Sequence, residues 1–264
     1  MGGSAVKTVL TIAGSDPSGG AGIQADIKTI TVHGLYAMSA VTALTVQNTL
    51  GVFAAQPVEP ALVARQIDCV FEDIRPDAVK LGMLGNAAVI RAVAERLRFH
   101  GAENMVLDPV MVSTSGRRLL DEPAVKLLEQ ALFPLARLIT PNLPEAEALC
   151  GCPVRNREEM ERAARLLAER TGAAVLLKGG HLAGCADDLL IDRGAVRWFP
   201  GERIDNPNTH GTGCTLSAAI ACHLARGQSL PESVSQAKAY LTGALKAGLN
   251  LGGGNGPLNH MAKW

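Results

Sequence analysis

Short apolar runs alternate with longer amphipathic stretches along the whole chain. Residues 6–14 (VKTVLTIAG) have the unbroken apolar character of a strand covered on both faces. Residues 20–33 follow with Ile23, Ile27 and Ile30 recurring on one side, which predicts a helix. The same periodicities predict strands over 37–46, 78–83, 104–110, 137–141 and 173–178. Helices are predicted over 60–74, 86–100, 122–132, 157–171, 213–226 and 230–249. Residues 188–192 and 195–199 read as a hairpin around Arg193-Gly194.

Strands alternating with helices of this length imply right-handed crossovers. The expected fold is therefore α/β, three layers deep (α/β/α), with a mostly parallel central sheet. No linker, low-complexity tract or internal repeat interrupts the pattern, so a single domain over residues 1–264 is expected, with Met-Gly-Gly-Ser at 1–4 read as a cloning remnant. Ligands in such sheets sit beyond the carboxyl ends of the strands. Chemistry should therefore gather in the segments that follow each strand.

Composition narrows the function classes. The 264 residues are 47% hydrophobic and 19% charged, which supports a large core and excludes a disordered chain. Lys+Arg and Asp+Glu are both 25, so no basic bias points to nucleic acid or to an anionic membrane. Any bound anion must be held locally, by loops and helix ends. The six cysteines lack zinc spacing, and Cys150-Gly151-Cys152 is too short for a zinc knuckle, so free buried thiols are expected. No signal-peptide pattern or membrane-length apolar run is present, and a cytoplasmic location is expected.

Three groups of residues fall at the strand ends. The first is the loop Gly14-Ser15-Asp16-Pro17-Ser18-Gly19-Gly20-Ala21-Gly22, whose glycines let backbone approach a ligand closely. Residues 20–25 fit G-x-G-x-x-A, yet the second strand ends in Thr45-Val46-Gln47-Asn48 without the acid that a dinucleotide ribose requires. A Walker A sequence is absent, which excludes a P-loop. The second group is Asn208-Thr209-His210-Gly211-Thr212-Gly213-Cys214-Thr215, just before an apolar helix. Its glycines and the helix dipole suit an oxyanion or a phosphoryl group in transit. Cys214 falls in the first turn, where a thiol is expected to have its pKa lowered and to serve as base or nucleophile. The third group is polar: Asp108, then Thr140, Asn142 and Glu145, then Lys178, each following an apolar run. Carboxylates with Thr and Asn suit Mg²⁺, and Lys suits a phosphate. Taken singly, Asn142 is also a plausible helix cap and Lys178 a solvated strand end. His33, His100 and His223 read as surface or satisfied residues, Tyr36 and Phe71 as core, and His181 and His260 stay undecided.

Several motifs stand in order: 14–28 (GSDPSGGAGIQADIK), 44–49 (LTVQNT), 80–84 (KLGML), 108–116 (DPVMVSTSG), 140–147 (TPNLPEAE), 178–182 (KGGHL), 208–217 (NTHGTGCTLS) and 254–260 (GNGPLNH). Together they resemble the hydroxymethylpyrimidine/phosphomethylpyrimidine kinases of thiamine biosynthesis, within the ribokinase-like superfamily. The resemblance covers nearly the whole chain. It implies a Mg²⁺- and ATP-dependent kinase that phosphorylates 4-amino-5-hydroxymethyl-2-methylpyrimidine and then its monophosphate, acting as a homodimer without nucleic-acid or membrane partners. It implies that Gly14, Ala21, Asp26, Gln47, Met83, Val110 and Cys214 line the pyrimidine site. It also implies that Asp108, Thr140, Asn142, Glu145, Lys178, His210, Gly211 and Gly213 meet Mg·ATP, with Asp108 and Glu145 at the metal. Cys214, Gly211, Thr212, Gly213 and Lys178 would carry the transfer. Ribokinase-like sugar kinases end the glycine motif with an Asp base, where this chain has Cys214. A neutral thiol would not repel the phosphate monoester that is the second acceptor. A pyridoxine or pyridoxal kinase on the same fold, and more remotely a non-catalytic pyrimidine-binding protein, are the rival readings. Gln47-Asn48-Thr49 and Met83 favour the pyrimidine.

Overall fold

The computed structural model describes residues 6–112, 116, 119–180, 182 and 186–262. Its strands are β1 (Thr8–Ser15), β2 (Tyr36–Asn48), β3 (Gly51–Pro57), β4 (Ala78–Leu81), β5 (Met105–Leu107), β6 (Leu138–Ile139), β7 (Ala174–Leu177), β8 (Asp188–Asp192) and β9 (Ala195–Phe199). The helices are α1 (Gly22–Val32), α2 (Pro60–Asp73), α3 (Ala87–Phe99), α4 (Glu122–Ala131), α5 (Leu143–Cys150), α6 (Arg157–Thr171), α7 (Thr212–Ala225) and α8 (Leu230–Ala247). All nine described strands join one sheet in the order β3-β2-β1-β4-β5-β6-β7-β8-β9. The six from β2 to β7 in that order run parallel. Antiparallel β3 closes one edge, and the antiparallel hairpin β8–β9 closes the other.

Strand parity divides the core in two. Leu10, Ile12, Val79, Leu81, Met105, Leu107, Val175 and Leu177 pack beneath α2 to α6. Their neighbours Val9, Ala78, Val106, Leu138 and Leu176 point the other way, beneath α1, α7 and α8. Helix α7 is buried at every position from Thr215 to Ala225, because it lies against the sheet with α1 and α8 alongside. The same parity carries Thr11, Lys80, Asp108, Thr140 and Lys178 onto the α7 face. Polar side chains thus take the places that apolar ones hold lower in the strands.

Helix starts follow ordinary capping chemistry. Asn86, Asp121 and Asn156 each accept a hydrogen bond from a backbone N–H in the first turn that follows. Ser229 and Glu232 form a reciprocal capping box at α8.

Several expectations need correction. Strand β3 has no counterpart among the predicted elements, because GVFAAQP is mostly exposed and shows no alternation. Helix α5 was missed because it has only 8 residues. Tyr36 was expected in the core, yet it is exposed at the first position of β2, whereas Phe71 is buried. On α1 the expected Ile23/Ile27/Ile30 stripe is altered. Ile23 and Ile30 are buried, Ile27 only partly, and Asp26 is wholly buried. Of the cysteines read as free and buried, five described ones are free, but Cys69 and Cys152 are exposed. His33 and His223, read as surface or satisfied residues, are buried edge to face with ring centres 5.2 Å apart, and His33 Nδ1 lies 2.8 Å from the Thr29 carbonyl. No helix is long and apolar enough to cross a membrane among the described residues.

Candidate active site

Two glycine loops close on each other at the carboxyl end of the sheet. A Cβ on Gly22 would strike the Gly14 carbonyl, and one on Gly211 would strike the Gly20 carbonyl. Gly211 also sits at φ 84°, the left-handed region that glycine adopts freely. These contacts set the first loop directly against the start of α7. That helix has no side-chain cap and no acidic residue in its first turn, so its leading N–H groups remain unclaimed by side chains. They carry the partial positive charge of the helix end.

A group of charges lies beside this helix end. Lys178 Nζ is 2.7 Å from Asp108 Oδ1, and the Thr140 hydroxyl donates to the same oxygen at 3.1 Å. A Cβ on Gly213 would stand 3.0 Å from Asp108 Oδ2 and 3.3 Å from Lys178 Nζ, so a larger residue there would crowd both side chains. Burial alone would push the Lys178 ammonium down, but the Asp108 and Glu145 carboxylates outweigh it and hold it above its ordinary value. Glu145 and Asn142 form a capping box at α5. The Asn142 N–H donates to Glu145 Oε2 at 2.8 Å, and the Glu145 N–H donates to Asn142 Oδ1 at 2.9 Å. Burial raises the Glu145 carboxyl from 4.5 to about 7, with Lys178 opposing and Asp108 adding to the rise. Asn142 is therefore a cap as well as a neighbour of the charge cluster.

Beneath α7 lies a second pair. Lys80 Nζ meets Asp26 Oδ2 at 2.8 Å, and the Thr11 hydroxyl donates to that oxygen at 2.6 Å. Neither charged side chain has exposed surface. Asp26 was expected to touch the pyrimidine, but its carboxylate is enclosed and turned to Lys80. Asp26 Oδ1 has no hydrogen-bond partner in this arrangement. Burial pushes the Asp26 carboxyl up despite the Lys80 ammonium, while Asp26 and other negative neighbours more than offset the effect of burial on Lys80.

Cys214 stands between these pairs, and here the sequence expectation is overturned. Burial pushes its thiol up from the ordinary value, and the nearby Asp26 and Asp108 carboxylates add to the rise. Lys80 and the Gly22 backbone lower it only in part. The helix start does not make this thiol a ready thiolate.

The opposite wall comes from the first loop and β2. The Asp16 carboxylate accepts five hydrogen bonds: from the Ser18 N–H and hydroxyl, the Gly20 and Ala21 N–H groups, and His210 Nε2 at 2.8 Å. Burial opposes ionisation there, but His210 and Ser18 outweigh it and lower the carboxyl to about 2. His210 was expected beside the ATP phosphates. The structure instead turns it to Asp16 and to the Gln47 amide, 3.1 Å from Gln47 Nε2. The Met83 side chain packs on Gly14, where a Cβ would strike its terminal methyl. Val110 is half-buried just after Asp108, and Ala21 caps the start of α1.

Gly14, Ala21, Gln47 and Met83 thus form one wall, Asp108, Thr140, Glu145 and Lys178 another, and residues 211–214 lie between. Sequence reasoning missed Asp16 and Lys80. Each had a signal: Asp16 stands two residues before a serine in a glycine loop, and Lys80 interrupts the apolar strand AVKL. His260, left undecided, holds the C-terminal segment to α7 through the Thr215 hydroxyl at 3.1 Å. His181, Cys185 and residues 113–115 of the motif at 108–116 lie outside the described residues. An open groove lined by Arg137, Ala173 and Asp192 lies at the amino ends of β6 and β7, away from all these groups. Arg137 and Asp192 pair there at 2.9 Å, so the groove holds no uncompensated charge from them.

No cluster of three or more His, Cys, Asp or Glu side chains that could hold a metal occurs among the described residues. Asp108 and Glu145 nevertheless supply hard oxygen donors, and a cation beside them would offset the burial, and in smaller part the Asp108 repulsion, that keep the Glu145 carboxyl from ionising. The residues present fit a Mg²⁺ ion that shares its coordination with phosphate and water.

Comparison with known proteins gives the family and the fold. The sequence profile of the phosphomethylpyrimidine kinase family matches residues 16–259. The chain is 51% identical over 255 residues to a bifunctional thiamine biosynthesis protein, ThiED, of Geobacter sulfurreducens, covering 96% of this chain and 52% of that one. The chain thus spans about half the length of that relative. It is 48% identical over 259 residues to the hydroxymethylpyrimidine/phosphomethylpyrimidine kinase of Salmonella typhimurium, covering 97% of each. Among solved structures, an ADP complex of Bacillus subtilis pyridoxal kinase superposes with a TM-score of 0.90 at 35% identity, covering 98% of each chain.

Proposed function

Because the chain belongs to the phosphomethylpyrimidine kinase family and is a phosphotransferase of ribokinase-like fold, we propose how its residues divide the work. ATP phosphorylates the alcohol of 4-amino-5-hydroxymethyl-2-methylpyrimidine, and a second ATP extends the monophosphate to the diphosphate. The observation that carries this reading is the position of residues 211–214. They separate a wall with an amide and a thioether from a wall with a Lys, two carboxylates and a threonine.

Gln47 meets the pyrimidine edge, because an amide offers both donors and acceptors. Met83 and Val110 cover the ring faces. The N–H groups at the start of α7, which no side chain caps, and the Lys178 ammonium face the transferring phosphoryl group and spread its charge. Asp108 and Glu145 would hold Mg²⁺ with the ATP phosphates, and Thr140 orients Asp108 through its hydroxyl. When bound, Mg²⁺ neutralises phosphate charge.

Cys214 faces the alcohol in the first step. Its thiol is neutral at rest, since burial raises its pKa. The proton of the alcohol therefore moves late, as the phosphoryl group arrives, which a loose transition state permits. The monophosphate of the second step is already ionised and needs no base. A neutral thiol accommodates it, where an aspartate would repel it.

The chain acts as a single kinase domain and pairs as a homodimer. Support for pairing comes from Leu44, Val46 and Phe53, which leave 57%, 60% and 59% of their surfaces exposed on the β2–β3 edge. A cytoplasmic setting accords with the five cysteines that are free among the described residues.

Product analysis tests the activity. The protein is incubated with ATP, Mg²⁺ and either the pyrimidine alcohol or pyridoxal, and phosphorylated products are counted by mass. Mono- and diphosphate from the pyrimidine are expected. Phosphate on pyridoxal alone would replace this reading with the vitamin-B6 one, and no transfer to either would leave a binding protein.

A further inference from the structure

Gln47 does not stand alone in its wall. Its amide lies between His210 on one side, with Nε2 to Nε2 at 3.1 Å, and the Thr45 hydroxyl on the other, 3.3 Å from Oε1. Each neighbour is itself committed. His210 Nε2 is 2.8 Å from Asp16 Oδ2. Asp16 is a carboxylate, since its carboxyl is lowered to about 2. A carboxylate only accepts, so His210 Nε2 must bear a proton. A protonated ring nitrogen cannot accept from an amide N–H. The Gln47 atom facing it must then be the carbonyl oxygen, which shares the Nε2–H with Asp16.

The other side requires the same orientation independently. Thr45 has one hydroxyl proton, and it goes to the Ser15 carbonyl at 2.8 Å. Toward Gln47 the hydroxyl can only accept, so Gln47 must present its NH₂ group there. Amide orientation is assigned by its partners, and both partners demand oxygen toward His210 and nitrogen toward Thr45. After these two bonds the amide keeps one N–H and one lone pair.

We propose that Asp16 and His210 are positioning residues that lock the Gln47 amide in one orientation and so make the site select a 4-aminopyrimidine edge over a 4-oxopyrimidine edge. The inference rests on the reading of Gln47 as the pyrimidine contact. A 4-aminopyrimidine offers a ring-nitrogen acceptor beside an amino donor, and a 4-oxopyrimidine offers the reverse. A freely turning amide serves either edge, whereas a locked one serves only one. The lock begins at Asp16, whose carboxylate is held by four loop donors besides His210. His210 is placed to transmit it, because its own N–H donates its backbone proton to the Gly256 carbonyl at 3.1 Å.

The test measures KM and kcat for the 4-amino alcohol and its 4-oxo analogue in wild type, Gln47→Ala, His210→Ala, His210→Gln and Asp16→Asn. Losing the lock should raise KM for the 4-amino alcohol roughly tenfold, the factor that one weakened substrate hydrogen bond produces. The preference for the 4-amino compound should fall by a similar factor in His210→Ala and Asp16→Asn, with KM for ATP held. His210→Gln, which restores a side-chain N–H donor, should recover part of the preference. Nitrogen-15 NMR of the wild-type protein adds a reading that needs no variant to fold: His210 should carry its proton on Nε2. An unchanged preference in both lock variants, with Gln47→Ala losing it, overturns the lock while Gln47 keeps its role. An unchanged KM and preference in Gln47→Ala overturns both. A bare Nε2 in the NMR spectrum overturns the donor accounting.

Discussion

Lys80 and Asp26 face each other at 2.8 Å with no exposed surface on either side chain, below the turn that carries Cys214. A buried ion pair is weak support for stability, because desolvation offsets the attraction. Its position is more telling. The Lys80 ammonium is the largest influence lowering the Cys214 thiol, while Asp26 raises it. The pair therefore sets the electrostatic floor of the site as well as filling space under α7.

Removing one partner should expose this. Lys80→Met leaves Asp26 buried and uncompensated, and should cost about 3–5 kcal/mol. Adding Asp26→Leu to it should recover most of that loss. Urea denaturation of the wild type, the single variant and the double variant measures both. A single variant as stable as wild type would show that Asp26 simply takes up a proton in the fold.

Cys214→Ala should slow transfer to the alcohol by about 10²-fold, the lower end for proton-transfer catalysis, since the thiol starts neutral. Transfer to the monophosphate should change much less. Because burial raises the thiol, the alcohol step should also gain rate as pH climbs into the alkaline range. Single-turnover transfer to each acceptor across pH reads both effects. Equal slowing of the two steps would assign Cys214 to holding the ring or the loop.

Glu145→Gln should raise the Mg²⁺ concentration needed for half-maximal activity. It should also change how ligand-free stability depends on pH. In the fold this carboxyl is raised from 4.5 to about 7, so the folded protein keeps a proton that the unfolded chain has lost. The stabilisation is complete below about 4.5 and is lost as pH rises through about 7. The stability difference between wild type and Glu145→Gln should accordingly fall across that window. A flat difference, with an unchanged Mg²⁺ titration, would remove Glu145 from the ion.

If the proposed homodimer forms through the β2–β3 edge, Phe53→Lys should leave a monomer, because β3 is an edge strand of the sheet and Phe53 is 59% exposed on it. Light scattering after size exclusion gives the mass directly. A variant that stays dimeric would place the interface elsewhere.

The alternation of strands and helices was legible because the core strands are mainly apolar and most covering helices are apolar on one side. Strand β3 escaped detection for the converse reason: it buries almost nothing, so no period marks it. The residues of the site were also legible by type, since glycine loops and polar residues after apolar strands are chemically out of place. Their partners were not. Asp16 and His210 are 194 positions apart, and Lys80 and Asp26 are 54 apart.

What the sequence determined by itself is the layered fold, the end of the sheet where chemistry gathers, and the family. These depend on local periodicity and on contiguous motifs. Tertiary structure alone decided which way each polar group turns. His210 left the phosphates for Asp16, Asp26 closed on Lys80, and Glu145 became a cap as well as a charge. It also reversed the expected shift at Cys214. A helix start lowers a thiol by a fraction of a charge, whereas burial beside two carboxylates acts on the full charge of the thiolate. Burial exists only after the loops have closed, so no reading of neighbours along the chain can supply it.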